Sequence, residues 1–392
     1  MPDDLIFLDN HSTTPCDRRV AEAVRDVLVN DFANASSQHS MGHAAQQLVQ
    51  RATEMIAMTL GVPPAEVVYT SGATESNMLA IHGVCLHPRQ RRRKVVTAVT
   101  EHAAVLEPMQ RLAANGFDVI TVPVHPQDSP DVGHVVSDLL LAAIDDQTAL
   151  VSMMWANNEI GTLQPLQMIA DRCHAVGALL HCDATQAVGR LPVDLQQVDI
   201  DLLSASAHKF YGPKGVGVLI IRQSARRVRL RPLIEGGGQQ HGLRGGTLNV
   251  AGIVGMGKAI EIATESMDDA RRRERTLRDQ LWLRLRDAIP NVSCNGQPLE
   301  SSYRLEGNLN VCFPGVDGEA LMLAAANVAC SSGAACSSAD PKPSHVLLAI
   351  GRTEAEARSS LRFGIGRMNT SDQIDQAADR IVAAYQQVRQ LG

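Results

Sequence analysis

Between Glu66 and Arg222, short apolar runs alternate with longer amphipathic stretches, and this alternation limits the possible folds more than any other feature of the chain. The runs are VVYT (67–70), KVVTAVT (94–100), ALVSMMW (149–155), ALLHCD (178–183), DLLSAS (201–206) and VGVLIIR (216–222). Strands that alternate with helices argue for an α/β domain around a mostly parallel sheet. In such sheets ligands bind beyond the carboxyl ends of the strands. Residues at those ends are therefore the first candidates for chemistry.

After a Gly-rich stretch, EGGGQQHGLRGGT (235–247), the pattern changes. Residues 253–289 read as one long helical region, open to interruption. Short strands (NLNVCF, 308–313), a helix from Gly318, SLRFGIG (360–366) and a last helix from about Ser371 follow. The length of 392 residues exceeds what one core usually covers. The chain is expected to divide near residue 260, into a large α/β domain (15–260) and a smaller α+β domain (1–14 with 261–392). Aromatics make up only 3%, so the cores must be built from Leu, Val, Ile, Ala and Met.

The net charge of −6 gives no bulk attraction for nucleic acid or an anionic membrane, and neither is expected as a direct partner. Three basic clusters, RQRRRK (89–94), RRVRLR (226–231) and RRRER (271–275), read as solvated faces or as docking sites for an acidic partner or RNA. Met1-Pro2 leads straight into DDLIFLDN, which reads as a first strand and not as a secretory leader. No apolar run is long enough to span a bilayer. The eight cysteines contain no CxxC pair, and free thiols in a cytoplasmic, reducing compartment are expected.

Lys209 lies at the end of an apolar strand in SASAHKFYGPKG (204–215), between His208 and a Phe-Tyr-Gly-Pro turn. A desolvated lysine loses proton affinity and can react as a neutral amine with a carbonyl. A structural Lys at a strand end is the plainer reading. Asp183 closes ALLHCD, 26 residues earlier, an interval that suits one βα unit between neighbouring strands. A carboxylate there can pair with a ring N–H⁺, though alone it reads as a turn or N-cap residue. TSGATESN (70–77) passes from a strand end through a tight turn into a helix. Gly72, Ala73 and Thr74 would present N–H groups to an anion such as a phosphate. A simple capped helix start explains it equally well. His102 follows a strand in EHAA and can stack on a planar ligand or move protons near neutral pH. Asn157 (WANNEIGT) and Gln186 (DATQAVG) also fall just past strand ends. Each signal is weak alone. Together a Lys, an Asp, a phosphate turn and a His at one sheet edge make up the parts of a pyridoxal-phosphate enzyme.

CSSGAACSSADPKPSH (330–345) is too small-sided and too interrupted by proline for a core helix or strand. The spacing of Cys330, Cys336 and His345 fits no common zinc pattern, and no metal is expected.

With these motifs in view, the chain resembles the cysteine desulfurases among the fold-type I pyridoxal-phosphate enzymes. SASAHKFYGPKG resembles the family's cofactor-lysine motif. LDNHSTTP, TSGATESN, HCDATQAVG, GLRGGTLNV and SLRFGIGR resemble further blocks in the same order. SSGAACSSADPKPSHVL resembles the mobile catalytic loop of the long-loop subgroup, here about 329–343. The resemblance implies a large domain with a seven-stranded-type, mostly parallel sheet. It implies pyridoxal 5'-phosphate as cofactor and L-cysteine as substrate, converted to L-alanine. Lys209 would carry the cofactor and move the α-proton, and Asp183 would keep its ring nitrogen protonated. His102 would stack on the ring. Ala73, Thr74, Ser206 and His208 would bind the phosphate, with Thr247 reaching it from the other subunit of a homodimer. Gln186 and Asn157 would contact the ring, and Arg362, with Asn157, would bind the substrate carboxylate. Cys336 would attack the substrate sulfur and carry a persulfide to an acceptor protein, with Cys330 the second choice.

Two blocks depart from the family pattern. FANASS (32–37) replaces an FGNPSS-type stretch, and Gln240-His241 stands where Glu-Arg is common. The acceptor stays open among an iron–sulfur scaffold, a tRNA-thiolation protein and a DNA-phosphorothioation protein. A selenocysteine lyase or an aminotransferase-like enzyme on the same fold would share most of these residues. An aminotransferase would not need Cys336, and a non-catalytic relay protein would not need Lys209.

Overall fold

The computed structural model describes residues 4–223, 226–332 and 342–391. Among these the strands are β1 (Ile6–Phe7), β2 (Val67–Thr70), β3 (Lys94–Ala98), β4 (Asp118–Val122), β5 (Thr148–Met154), β6 (Leu179–Asp183), β7 (Leu202–Ser206), β8 (Gly217–Ile221), β9 (Ser293–Cys294), β10 (Asn308–Cys312), β11 (Val328–Ala329) and β12 (Ser360–Gly364). The helices are α1 (Arg18–Asn30), α2 (Ser40–Leu60), α3 (Ala73–Cys85), α4 (Ala103–Ala113), α5 (Ser137–Ala143), α6 (Leu166–Val176), α7 (Val250–Glu265), α8 (Met267–Ala288), α9 (Gly318–Ala324), α10 (His345–Ala349), α11 (Glu354–Arg358) and α12 (Ser371–Leu391).

The central sheet has seven strands in the order β2-β8-β7-β6-β5-β3-β4. Strands β7, β6, β5, β3 and β4 run parallel. β8 is antiparallel to both its neighbours, β2 and β7, so β2 points the same way as the parallel set. Successive residues serve opposite faces, as the two-residue period of a strand requires. Val96, Leu203 and Ala205 join one apolar cluster, whereas Val95, Leu202 and Leu219 join another with α3 residues Leu79 and Ile81. Both faces are covered, which is why these strands read as continuous apolar runs.

Six of the seven strands are the six runs of the sequence. The seventh, β4, lies at the sheet's edge with only Val122 fully buried, so DVITV lacks a continuous apolar run. β6 and β7 are the parallel neighbours expected from the Asp183–Lys209 interval. Their connection, residues 184–201, contains turns in place of the expected helix. The 253–289 region is two helices broken at Ser266, whose backbone (φ −107°, ψ 6°) leaves the helical range. α1 and α2, between the first strand and β2, were not anticipated. Asp17 starts α1 by accepting a bond from Arg19 N at 3.0 Å, and Gly61 ends α2 in the left-handed region at φ +67°. β1 is only two residues long and pairs with β11.

A separate apolar core holds Ile6, Leu8, Leu281, Phe313, Phe363 and Ile381. It joins the beginning of the chain to the segments after α7. Among the described residues no helix is long and apolar enough to cross a membrane.

Candidate active site

The carboxyl ends of β2, β3, β5, β6 and β7 share one edge of the sheet, and the start of β8 joins them. Gly217 pairs with Thr70 on one side and Ser206 on the other. A Cβ on Gly217 would stand 2.7 Å from Gly72 Cα and C, so only glycine lets the turn lie this close to the strand. Thr70 and Ser76 share a 2.7 Å hydroxyl contact, and Ser76 Oγ also bonds Val218 O at 2.9 Å. These bonds tie the turn to the sheet. Gly72 takes the N-cap position of α3 and has no side chain with which to cap it. The first N–H groups of the helix are thus available to an anion. Thr74 is exposed beside them, and Ser206 is buried at the end of β7.

Lys209 follows β7 in a single 3₁₀ turn. Its Nζ donates to His11 O at 2.6 Å and Ser12 O at 2.7 Å. Burial, then the charges of Arg362 and Arg190, lowers its pKa to about 7. A neutral amine has two N–H groups for those two carbonyls and keeps a lone pair. Arg190 Nη2 donates to Lys209 O (3.1 Å) and Asn10 O (2.5 Å), which holds the turn against the N-terminal segment.

Asp183 is buried at the end of β6. Asn77, one turn into α3, donates to its Oδ2 at 2.7 Å, and Thr185 N donates to its Oδ1 at 3.0 Å. The carboxylate is therefore fixed in direction from both sides. His102 caps α4 through Nδ1, which accepts from Ala104 N at 3.1 Å and leaves the proton on Nε2. The residue is exposed at the sheet edge, though the protein around it still lowers its pKa by partial burial. Gln186 Nε2 donates to His11 O at 2.8 Å, and its Oε1 meets His11 Nδ1 at 3.1 Å. His11 is buried, and burial with the Arg190 and Arg362 charges holds it neutral. Among the described residues His11 Nε2, Asn77 Oδ1 and Thr185 Oγ1 have no partner.

Arg362, on β12, reaches this edge from the second core. Its Nη1 donates to Asn158 O at 3.0 Å. Its Nη2 donates to Asp9 Oδ1 at 2.9 Å and Ser12 Oγ at 2.6 Å. Its Nε is buried with no partner among the described residues. An unsatisfied buried donor costs about 1–3 kcal/mol, so an acceptor is favoured there.

The other predicted residues divide. Asn157 is buried, but its amide is committed: Nδ2 donates to Thr100 O at 3.0 Å, and Oδ1 accepts from Glu159 N at 2.8 Å and Ile160 N at 3.0 Å. His208 Nδ1 meets Thr13 Oγ1 at 3.1 Å, and burial with two nearby lysines lowers its pKa to about 4. Thr247 is exposed on the segment before α7. Cys336 lies outside the described residues. The residues flanking its segment both reach this site. Ser331 exchanges backbone bonds with Arg362, and Ser344 donates to Glu159.

The aminotransferase class-V family model matches residues 6–377. The cysteine desulfurase IscS of Anaeromyxobacter sp. (strain Fw109-5) is 43% identical over 389 residues, which cover 98% of this chain and 94% of that protein. The chain belongs to the cysteine desulfurases of the class-V aminotransferase family. The fold of this desulfurase matches a solved NifS-like protein with a TM-score of 0.88 and 36% identity, over 97% of this chain and 98% of the other. A structure of SspA in complex with cysteine matches with a TM-score of 0.79 and 33% identity, over 93% of this chain and 100% of the other.

Sequence reasoning did not single out His11, Asn77, Asp9 or Arg190. Three of them touch the site through the backbone or through other residues, which no chemical motif records. Asn77 had a signal: it lies at i+4 from Ala73, on the helix face above the anion turn.

Proposed function

We propose that this desulfurase removes sulfur from L-cysteine with pyridoxal 5'-phosphate as cofactor, Lys209 as its anchor and Cys336 as the sulfur-accepting nucleophile. The observation that carries this reading is a lysine amine poised near neutrality at the same sheet edge as a doubly held carboxylate and an arginine whose buried Nε–H has no partner among the described residues. The residues fit the cofactor. Lys209 would hold it covalently, and Asp183 would take its ring N–H. The Gly72–Thr74 turn, Ser206 and His208 would bind its phosphate, with Thr247 contributed across a homodimer. His102 would lie on the ring, and Gln186 beside it. When bound, the cofactor supplies an electron sink that labilises the substrate's α-proton and its carbon–sulfur bond.

The protein's own part is binding, orientation and proton movement. Arg362 takes the substrate carboxylate; its planar guanidinium suits that group better than an ammonium would. The Lys209 amine, once free, removes the α-proton at Nζ and can return it. The Cys336 thiolate attacks the substrate sulfur. The new S–S bond forms as the carbon–sulfur bond breaks, and protonation of the carbon yields L-alanine. The outer sulfur of the persulfide then passes to a nucleophile of an acceptor protein, of the iron–sulfur, tRNA-thiolation or DNA-phosphorothioation type, and the broken S–S bond returns the Cys336 thiolate. The likeness to a cysteine desulfurase IscS and to SspA solved in complex with cysteine supports sulfur transfer from cysteine without choosing among these acceptors.

The test incubates purified protein with L-cysteine and a reductant and measures sulfide and alanine for wild type and Cys336→Ala, with absorption spectra alongside. Equal sulfide and alanine from wild type are expected. The variant should keep the coloured cofactor and lose turnover by at least about a thousandfold. A coloured wild type that releases no alanine overturns the proposal.

A further inference from the structure

We infer that Asp9 is a positioning residue that sets how Arg362 holds the substrate's carboxylate. The inference rests on the role just proposed for Arg362. A single oxygen, Asp9 Oδ1, accepts from Arg362 Nη2, Ser12 Oγ and Ser331 Oγ, each at 2.9 Å. Ser12 Oγ accepts a second bond from Arg362 Nη2 at 2.6 Å, while Ser12 O accepts from Lys209 Nζ at 2.7 Å. One carboxylate thus joins the proposed carboxylate-binding arginine, the segment that receives the catalytic amine and the strand exit before residue 333.

Charge and geometry both give Asp9 this task. Arg362 is buried with a side-chain exposure of 5%. A guanidinium so buried needs a counter-ion and fixed acceptors. The other acid close to it, Glu159, is already committed to Ser344, and burial pushes its carboxyl toward the neutral form. Asp9 and the Asn158 carbonyl hold the two terminal nitrogens, so Nε is left facing no partner among the described residues. The arginine is aimed before the substrate arrives, and binding does not have to order it.

The rival explanation is that Asp9 only ties the N-terminal segment to β12, which it also meets through the Asp9–Gly364 bridge. The two explanations separate on ligands with and without a carboxylate. Holoenzyme would be assayed with L-cysteine. Calorimetry would give dissociation constants for L-alanine and for cysteamine, which has the amine and thiol but no carboxylate. For Asp9→Asn we expect KM for L-cysteine and Kd for L-alanine to rise about tenfold, with kcat within about threefold and cysteamine unchanged. Ser12→Ala should shift the same two constants about threefold in the same direction. It also serves if Asp9→Asn folds poorly, which thermal unfolding would report. In an Arg362→Ala background Asp9→Asn should add nothing further to L-alanine binding.

Equal weakening of L-alanine and cysteamine, no change in either, or tighter L-alanine binding would overturn the inference. Tighter binding would make Asp9 a competing anion. A wild type that binds L-alanine but makes no sulfide would count against the desulfurase reading and leave the Asp9 comparison readable.

Discussion

Lys209 shows how much of this site is decided one residue at a time. A surface lysine is almost wholly protonated at neutral pH. Here burial and two arginines lower the pKa to about 7, against two carbonyl acceptors that would stabilise the ammonium. The sign follows directly. Above about pH 7 the amine is mostly neutral and reactive, and below it the amine is protonated. The rate at which apoprotein captures pyridoxal phosphate should therefore rise through about pH 7 and level off near 8. Well below 7 it should fall about tenfold per pH unit. Stopped-flow absorbance across that range checks this, and a midpoint near 10 would contradict it. Lys209, Asp183 and Arg362 were all legible in the sequence, because each carries a chemically demanding group at a strand end or inside a long motif. His11 was not, since its importance depends on which atoms it touches, and Asn77 offered only its place on the helix face, not its bond to Asp183. Asn157 illustrates the reverse case: its position was legible, but the bonds that commit its amide were not.

At the scale of elements, the join between β8 and the turn before α3 is the most exacting contact. Gly217→Ala would drive a methyl into the Gly72 backbone, a cost of about 1–3 kcal/mol in overpacking. The turn must shift, so the Kd for pyridoxal phosphate should rise at least about tenfold while far-ultraviolet circular dichroism stays unchanged. Unaltered cofactor affinity would show that the turn does not hold the phosphate. The departure at Gln240 also has a local explanation. Its Oε1 accepts from Tyr69 N at 2.5 Å and its Nε2 donates to Tyr69 O at 2.8 Å. The side chain thus pairs with edge strand β2 as another strand would, and a glutamate could not donate the second bond. The basic clusters separate in a way that sequence could not anticipate. Arg92, Arg226, Arg271 and Arg275 are spent on carbonyls or carboxylates. Arg89, Arg227 and Arg229 instead line one open groove of about 510 Å³ with Val228, Leu230 and Leu243.

At the scale of the whole molecule, the two cores meet where Arg367 stacks on Tyr211 at 4.0 Å and bonds Asp17, with Glu274 of α8 buried close by. Burial pushes the Glu274 pKa up to about 7, with Glu306 adding to the rise and Arg190 leading the charges that oppose it. A carboxyl raised in the folded state is most favourable below its unfolded value of about 4.5, and that stability is lost as pH rises through about 7. Glu274→Gln should therefore leave the thermal midpoint almost unchanged at pH 5 and raise it at pH 8, by no more than about 3 kcal/mol of stability. Midpoints measured at the two pH values test this, and a fall at pH 8 would mean that the ionised carboxylate is needed by the arginines.

By itself the sequence determined the α/β class, six strands of the central sheet, the order of the motifs and the chemical types at the strand ends. These follow from local periodicity and from groups whose reactivity is intrinsic. Tertiary structure alone decided that Arg362 and Asp9, 353 residues apart, form one ion pair, and that a backbone carbonyl of His11 meets the Lys209 amine. It also decided that the β6–β7 connection runs without a helix and that an edge strand as weakly patterned as DVITV completes the sheet. Such contacts depend on the register of distant segments, and no local pattern of side chains encodes which distant backbone atoms will lie within hydrogen-bonding reach.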